Sequence, residues 1–258
     1  MQLNHDHIIK IRGMSLHSSA ATAFQCCGKY NDYFVVMDQL DDTLDSRIET
    51  WKKKKDSLGS ILPTILQFAI ELASALCYLH ERRLVFRDVK PPNCGLSTCL
   101  GRGNGMLTES LQLFDFGFCR ALPDSSRCVL DERRETFHMS LAGTTRYMSP
   151  EIMMHQPYNH LSDTYSWAMT VYEMIARKKP YEGLIREAHH FPEYVGHMQV
   201  RPELKNLSEV PESLLELLQK AWCASIDNRP TMQSILEGLD TVVGDLPNCV
   251  NRPKPMAA

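Results

Sequence analysis

Phe86-Arg87-Asp88-Val89-Lys90-Pro91-Pro92-Asn93 is the stretch on which the reading of this chain turns. It gathers a carboxylate, an ammonium group and a carboxamide into one short segment. Just before it, Leu62, Ile65, Leu66, Ala69, Leu72, Ala73, Leu76 and Leu79 recur at helical spacing, and Pro63 fits the first turn of that helix. Downstream, short strands are expected around Cys94 to Ser97 and Leu111 to Phe114, with Gly101-Arg102-Gly103-Asn104-Gly105 as the turn between them. Asp115-Phe116-Gly117 follows the second strand, and Ser149-Pro150-Glu151 closes a long polar stretch.

In this order and context, these segments resemble the protein kinase signature of catalytic loop, D-F-G and A-P-E. Each short motif alone is weak, because D-F-G and a lone R-D occur by chance; the ordered set is specific. The bland alternative makes Asp88 and Asn93 mere turn residues. The resemblance implies an α+β, protein kinase-like fold, with a mostly helical large lobe and a truncated small-lobe β-sheet remnant. Its expected boundaries are a remnant with two strands and a hinge over 1–40, a large lobe over 41–243 and a disordered tail over 244–258.

The implied activity is transfer of the ATP γ-phosphate to Ser or Thr of a protein substrate. Phosphoryl transfer needs little covalent help, so the protein mainly positions groups and neutralises charge. By resemblance, Asp88 accepts the proton of the substrate hydroxyl, and Asn93 and Asp115 hold Mg²⁺ against the phosphates, since hard cations take oxygen ligands. Lys90 lies two residues after the base, as in kinases acting on Ser and Thr, and steadies the transferring phosphate. Thr144, within Gly143-Thr144-Thr145-Arg146-Tyr147, matches the threonine that contacts this loop. Met37-Asp38-Gln39-Leu40 matches the hinge: backbone groups of Asp38 and Leu40 would bind adenine, with Met37 as gatekeeper behind the base. The bland reading of that stretch is the end of a core strand.

Supporting residues match too. Asp163 is expected to hold the catalytic-loop backbone, and Glu151 with Arg229 to join the activation segment to the late helices. Ala221-Trp222-Cys223 through Asp227-Asn228-Arg229-Pro230 looks most like the tyrosine-kinase-like group. Phe118 to Thr145 corresponds to the activation segment, where Arg87 could pair a phosphate on Thr136 or Ser140. Phe86 stands where the family usually has His; its ring can stack under Phe116 but cannot hydrogen-bond.

Outward from this centre, Ile8-Ile9-Lys10-Ile11 and Tyr33-Phe34-Val35-Val36-Met37 read as strands, with a loop or irregular hairpin over Ser15 to Asp32. Trp167 to Ala176 reads as a central buried helix. Further helices carry Leu214 to Trp222, and Met232 to Val242 after Pro230. The basic run Lys52 to Lys55 ends a helix as a solvated face. A formal charge of -3 over 258 residues gives no reason to expect nucleic acid or a membrane surface as partner. Ile61 to Leu79, interrupted by Pro63, Gln67 and Glu71, reads as a buried helix and not a membrane span. Nine scattered cysteines without a C-x-x-C pair read as free thiols, which implies a reducing, cytoplasmic setting.

The chain also departs from the family pattern. Its 258 residues hold no G-x-G-x-x-G loop, no V-A-I-K lysine on a following strand and no paired helix glutamate. Three expectations arise: an active kinase whose sequence is incomplete at its N-terminus, a catalytically inactive pseudokinase-like binding or scaffold module, or an unrelated helical interaction domain. The ordered motifs argue against the third. The remnant sheet is expected to have open edges, with the apolar faces of Ile8, Ile9 and Ile11 uncovered.

Overall fold

Helix α2 (Leu58–Glu81) is the axis of the helical part of the chain. Its apolar residues recur so closely that it is buried nearly all round, from Leu58 to Leu79. In a computed structural model of the chain, which describes residues 3–14, 34–100, 107–123, 135–204, 207 and 209–246, α2 packs against α4 (Leu161–Ala176) and α6 (Met232–Asp245). Its length and apolar composition would suffice to cross a membrane, but 67% of its most apolar window is buried inside the protein. The helix starts earlier than its apolar spacing suggested, so Pro63 lies inside it and not in its first turn. A tight opening turn, Ser60 N–H donating to Ser57 C=O at 3.1 Å, carries the extra residues.

Small side chains let the helices approach closely: Ala69, Ala73 and Ala75 are fully buried. Trp167 Nε1–H donates to the Ala69 carbonyl at 3.0 Å, tying α4 to α2 through a backbone oxygen. The short helix α3 (Pro150–Met153) adds Ile152 and Met153 to the same core, and helix α5 (Glu212–Ala221) adds Leu214, Leu217, Leu218 and Ala221. Helix α1 (Leu44–Lys54) is capped by Thr43 and ends at left-handed Lys55, with its lysines in the last turn.

The sheets are small. Strands β3 (Asp42–Thr43), β5 (Cys94–Leu100) and β6 (Leu107–Leu113) form one antiparallel sheet in the order β3-β5-β6. The β5–β6 pairing runs from Cys94↔Leu113 to Leu100↔Leu107, longer than the short strands expected from sequence. The turn expected at Gly101–Gly105 lies outside the described residues, as does the loop expected at Ser15–Asp32. Strands β1 (Ile11–Met14) and β2 (Val35–Met37) form a separate two-stranded ribbon, with Ile11 opposite Met37. Strands β4 (Leu84–Val85) and β7 (Arg120–Ala121) pair beside the catalytic loop. Helix α6 runs to Asp245, past residue 244 where the tail was expected to begin; residues 247–258 lie outside the description.

The expected strand Ile8-Ile9-Lys10-Ile11 is corrected by the structure. Ile8 makes a single parallel bridge to Leu113 and is 2% exposed, whereas Ile11 opens β1 and is 59% exposed. Ile8 and Ile9 therefore do have a cover, because the segment crosses from the buried lobe to the ribbon between residues 9 and 11. Ile11, Met14, Val35, Val36 and Met37 of the ribbon, and Phe34 just before it, all show apolar side chains to solvent.

Candidate active site

Strand β4 delivers the chain into the catalytic loop, whose backbone is set by a buried carboxylate. Asp163, in the first turn of α4, accepts the backbone N–H groups of Phe86 and Arg87 at 2.8 Å each. Arg87 thereby holds a left-handed backbone, φ 71°, which a non-glycine residue keeps only when its surroundings fix it. His80 Nε2 lies 3.0 Å from the same carboxylate. Gly143 is needed on the facing segment: its φ is 109°, and a Cβ there would run into the Arg87 carbonyl oxygen.

Asp88, 4% exposed, is the centre of a closed polar cluster. Its Oδ1 accepts from the Thr144 hydroxyl at 2.8 Å. Its Oδ2 accepts from Asn93 Nδ2 at 2.9 Å and pairs with Lys90 Nζ at 2.7 Å. Lys90 also donates to Thr144 Oγ at 2.8 Å, so the three side chains brace one another. A buried carboxylate is tolerated only with such partners. Asn93 spends Nδ2 on Asp88, including its carbonyl at 2.9 Å, which leaves the Asn93 Oδ1 oxygen for a ligand.

Asp115 reaches the same place through the backbone. Phe114 N–H donates to the Asn93 carbonyl at 3.0 Å, so the residue after β6 is pinned to the end of the catalytic loop. Asp115 itself is left-handed, φ 62° and ψ 73°, and its exposed carboxylate accepts from Gly117 N–H at 3.3 Å. Phe116 meets Phe86 edge-to-face at 5.2 Å, so the phenyl ring fills the stack by packing alone. Two oxygen donors, Asn93 Oδ1 and the Asp115 carboxylate, suit a hard cation such as Mg²⁺.

The hinge residues lie on and just after β2. Asp38 N–H donates to the Lys10 carbonyl at 3.1 Å, which commits its donor and leaves its carbonyl for a ligand. The Asp38 side chain pairs with Arg12 in two hydrogen bonds, one of them 2.8 Å from Nη2. That pairing holds the Asp38 carboxyl below its usual range. Leu40 packs on Gly95, where a Cβ would collide with the leucine methyls. Met37 is half-exposed on the ribbon.

The segment after Phe118 is tied to this centre at several points. Arg87, although 8% exposed, reaches Phe118 C=O at 2.6 Å, Ser140 Oγ at 3.3 Å and Tyr158 OH at 3.2 Å. Phe137 and Tyr158 exchange two backbone hydrogen bonds. Arg229 meets Glu151 in two parallel bonds of 2.7 Å. Tyr147 OH donates to Glu173 at 2.6 Å, and burial raises the Glu173 carboxyl to about 7.

Sequence reasoning missed Tyr158 and Glu173 here, and also Glu71 of α2, whose Oε2 accepts Leu111 N–H at 2.7 Å. Tyr158 gives no local signal, because its partners Arg87 and Ser140 come from other segments. Glu173 and Glu71 each gave one, a carboxylate inside an otherwise apolar helix, which marks a group that must find a partner.

The protein kinase domain family matches residues 1–238. Among similar proteins, the serine/threonine-protein kinase VIK of Arabidopsis thaliana is 30% identical over 196 residues, covering 74% of this chain and 40% of its own. The serine/threonine-protein kinase STY46 of the same plant is 26% identical over 187 residues, 72% of this chain and 28% of its own. The mouse serine/threonine-protein kinase Nek4 is 26% identical over 227 residues, 81% of this chain and 26% of its own. The chain thus spans about a quarter to two fifths of the length of these curated relatives. With a family match across most of its length and this polar cluster at its centre, the chain belongs to the protein kinase family.

Proposed function

We propose that this domain transfers the γ-phosphate of ATP to Ser or Thr of protein substrates. The observation that carries the reading is the closed cluster of Asp88, Lys90, Asn93 and Thr144. Phosphoryl transfer requires a base beside the attacking hydroxyl and cations beside the phosphate, and this cluster supplies one of each. A substrate hydroxyl would approach Asp88 Oδ1, taking the place of the Thr144 hydroxyl. Lys90, released from that brace, would then face the transferring phosphoryl group.

Protein kinases use ATP and Mg²⁺. Bound here, Mg²⁺ would neutralise phosphate charge, held by Asn93 Oδ1 and the Asp115 carboxylate. Adenine would meet the Asp38 carbonyl and the Leu40 backbone, with Met37 beside them. Arg87 would receive a phosphate on Ser140, whose hydroxyl it already touches. Among the described residues Cys94, Cys119 and Cys223 carry unbridged thiols, which suits a reducing, cytoplasmic setting.

A second reading, a non-catalytic binding module, is favoured by the exposure of the β1–β2 ribbon, where the adenine would rest. Phosphate transfer from labelled ATP to a Ser/Thr peptide mixture separates the two. The kinase reading expects Asp88→Asn to lower turnover about 10²–10⁴-fold with the fold unchanged by circular dichroism. Undiminished turnover in that variant would exclude Asp88 as the base. Failure of the wild-type chain to bind Mg²⁺–ATP would favour the binding module.

A further inference from the structure

Strand β6 ends two residues before Asp115, so whatever holds its outer edge also aims that carboxylate. No strand lies along that edge among the described residues; its backbone groups are taken up one by one. At Leu113 the N-terminal segment does so, with Leu113 N–H donating to His7 C=O at 2.9 Å and Ile9 N–H to Leu113 C=O at 3.0 Å. At Leu111 two side chains take over. Leu111 N–H donates to Glu71 Oε2 at 2.7 Å, and His7 Nδ1 lies 3.1 Å from Leu111 C=O, so it must carry the proton. At Glu109 the carbonyl accepts from Gln67 Nε2 at 2.7 Å, and the same nitrogen donates to Glu71 Oε1 at 3.0 Å.

We propose that Glu71, with His7, is a positioning residue for Asp115: it stands in for a missing strand on the outer edge of β6 and forms a proton-operated clasp there. The inference rests on the kinase reading for what Asp115 does, but not for the clasp itself. The same N-terminal segment continues through Lys10, whose carbonyl takes Asp38 N–H, so the clasp joins the metal side of the site to the hinge side.

The groups facing Glu71 are Gln67 on its own helix and Leu111 on β6. His7 meets Leu111 from the opposite side and lies 3.3 Å from Ser110 Oγ. Glu109, next along the edge, is neutralised by Arg47 from α1. Burial raises the Glu71 carboxyl to about 7, and the hydrogen bonds from Leu111 and Gln67 only partly oppose it. Linkage fixes the sign. A group that binds its proton more tightly in the closed state favours closure while protonated, so ionisation as pH rises through about 7 opens the clasp. Burial lowers the affinity of His7 and His5 for protons, so both open it at the acid end. His5 Nδ1 accepts His7 N–H at 3.1 Å, and protonation removes that acceptor. The clasp is therefore tightest at pH just below 7.

The test is hydrogen exchange at the Leu111 amide, corrected for intrinsic rates, beside Mg²⁺–ATP affinity, both measured at about pH 6 and about pH 8. Relative to Glu71→Gln, which keeps an uncharged acceptor for Leu111 N–H, wild type should lose about tenfold in Leu111 protection over this range, with affinity falling in parallel. Glu71→Gln by itself should show only the gain in protection towards pH 8 that deprotonation of His7 and His5 gives. Glu71→Leu should lose the protection at both pH values. A ratio of wild-type to Glu71→Gln protection that stays flat over this range overturns the clasp. Protection that responds while affinity stays flat overturns the role in positioning Asp115. Absence of Mg²⁺–ATP binding at every pH, with Leu111 still responding through Glu71, overturns the kinase reading and leaves the clasp standing.

Discussion

The catalytic loop and the β1–β2 ribbon face the same proposed nucleotide and are built in opposite ways. In the loop, Asp88 and Asn93 are each 4% exposed, and their polar atoms are shared among Lys90, Thr144 and the backbone. In the ribbon, Ile11, Val35, Val36 and Met37 are all about half-exposed. The loop's rigidity comes from buried groups that cannot leave their partners without a desolvation cost. A two-stranded ribbon has no such lock, because such a pair is marginal in water by itself. A pre-organised polar cluster and a compliant ribbon can therefore coexist in one chain.

The sharpest way to break this contrast lies at Glu151. Arg229 is fully buried, so Glu151→Ala would strand its charge and should cost about 3–5 kcal/mol in urea denaturation. A cost below about 1 kcal/mol would mean that the lobe is less tightly locked than its burial implies.

Ile8 and Ile11 make an internal control, three residues apart on either side of the crossover. Ile8→Ala should destabilise by about 2–5 kcal/mol, since it empties part of the core.

Glu173 tests the electrostatic side. Its carboxyl is raised from 4.5 to about 7 by burial, so the native state holds its proton more tightly than the unfolded chain does. The stabilising contribution is full below about 4.5 and is lost as pH rises through about 7. Glu173→Gln stays neutral and should gain on wild type by about 1–3 kcal/mol between about pH 5 and about pH 8. Equal pH dependence in the two proteins would show that the Tyr147 hydroxyl holds the ionised carboxylate at no net cost. The smallest effect is expected on the ribbon, where Ile11→Ala should change stability by less than about 0.5 kcal/mol. A larger loss there would show that the ribbon is packed in solution.

What sequence alone determined was the family's motifs and their order. Asp88, Lys90 and Asn93 lie within one short segment, Asp115-Phe116-Gly117 follows a strand, and local spacing suffices to recognise both. The helices were legible for a similar reason, since a 3.6-residue apolar period is a property of adjacent residues. Pro63 shows the limit of that signal: periodicity located the helix but not its first turn. Only the tertiary structure decided how the edges are closed. Ile8 and Ile11 are the same residue type in one short run, yet the first meets Leu113 and the second meets solvent. Glu71 and Leu111 are 40 residues apart, and His7 and Leu111 are 104 apart. Whether a carboxylate in an apolar helix is an interruption or a clasp depends on which strand edge lies opposite it. That is set by non-local packing, which no window of neighbouring residues contains.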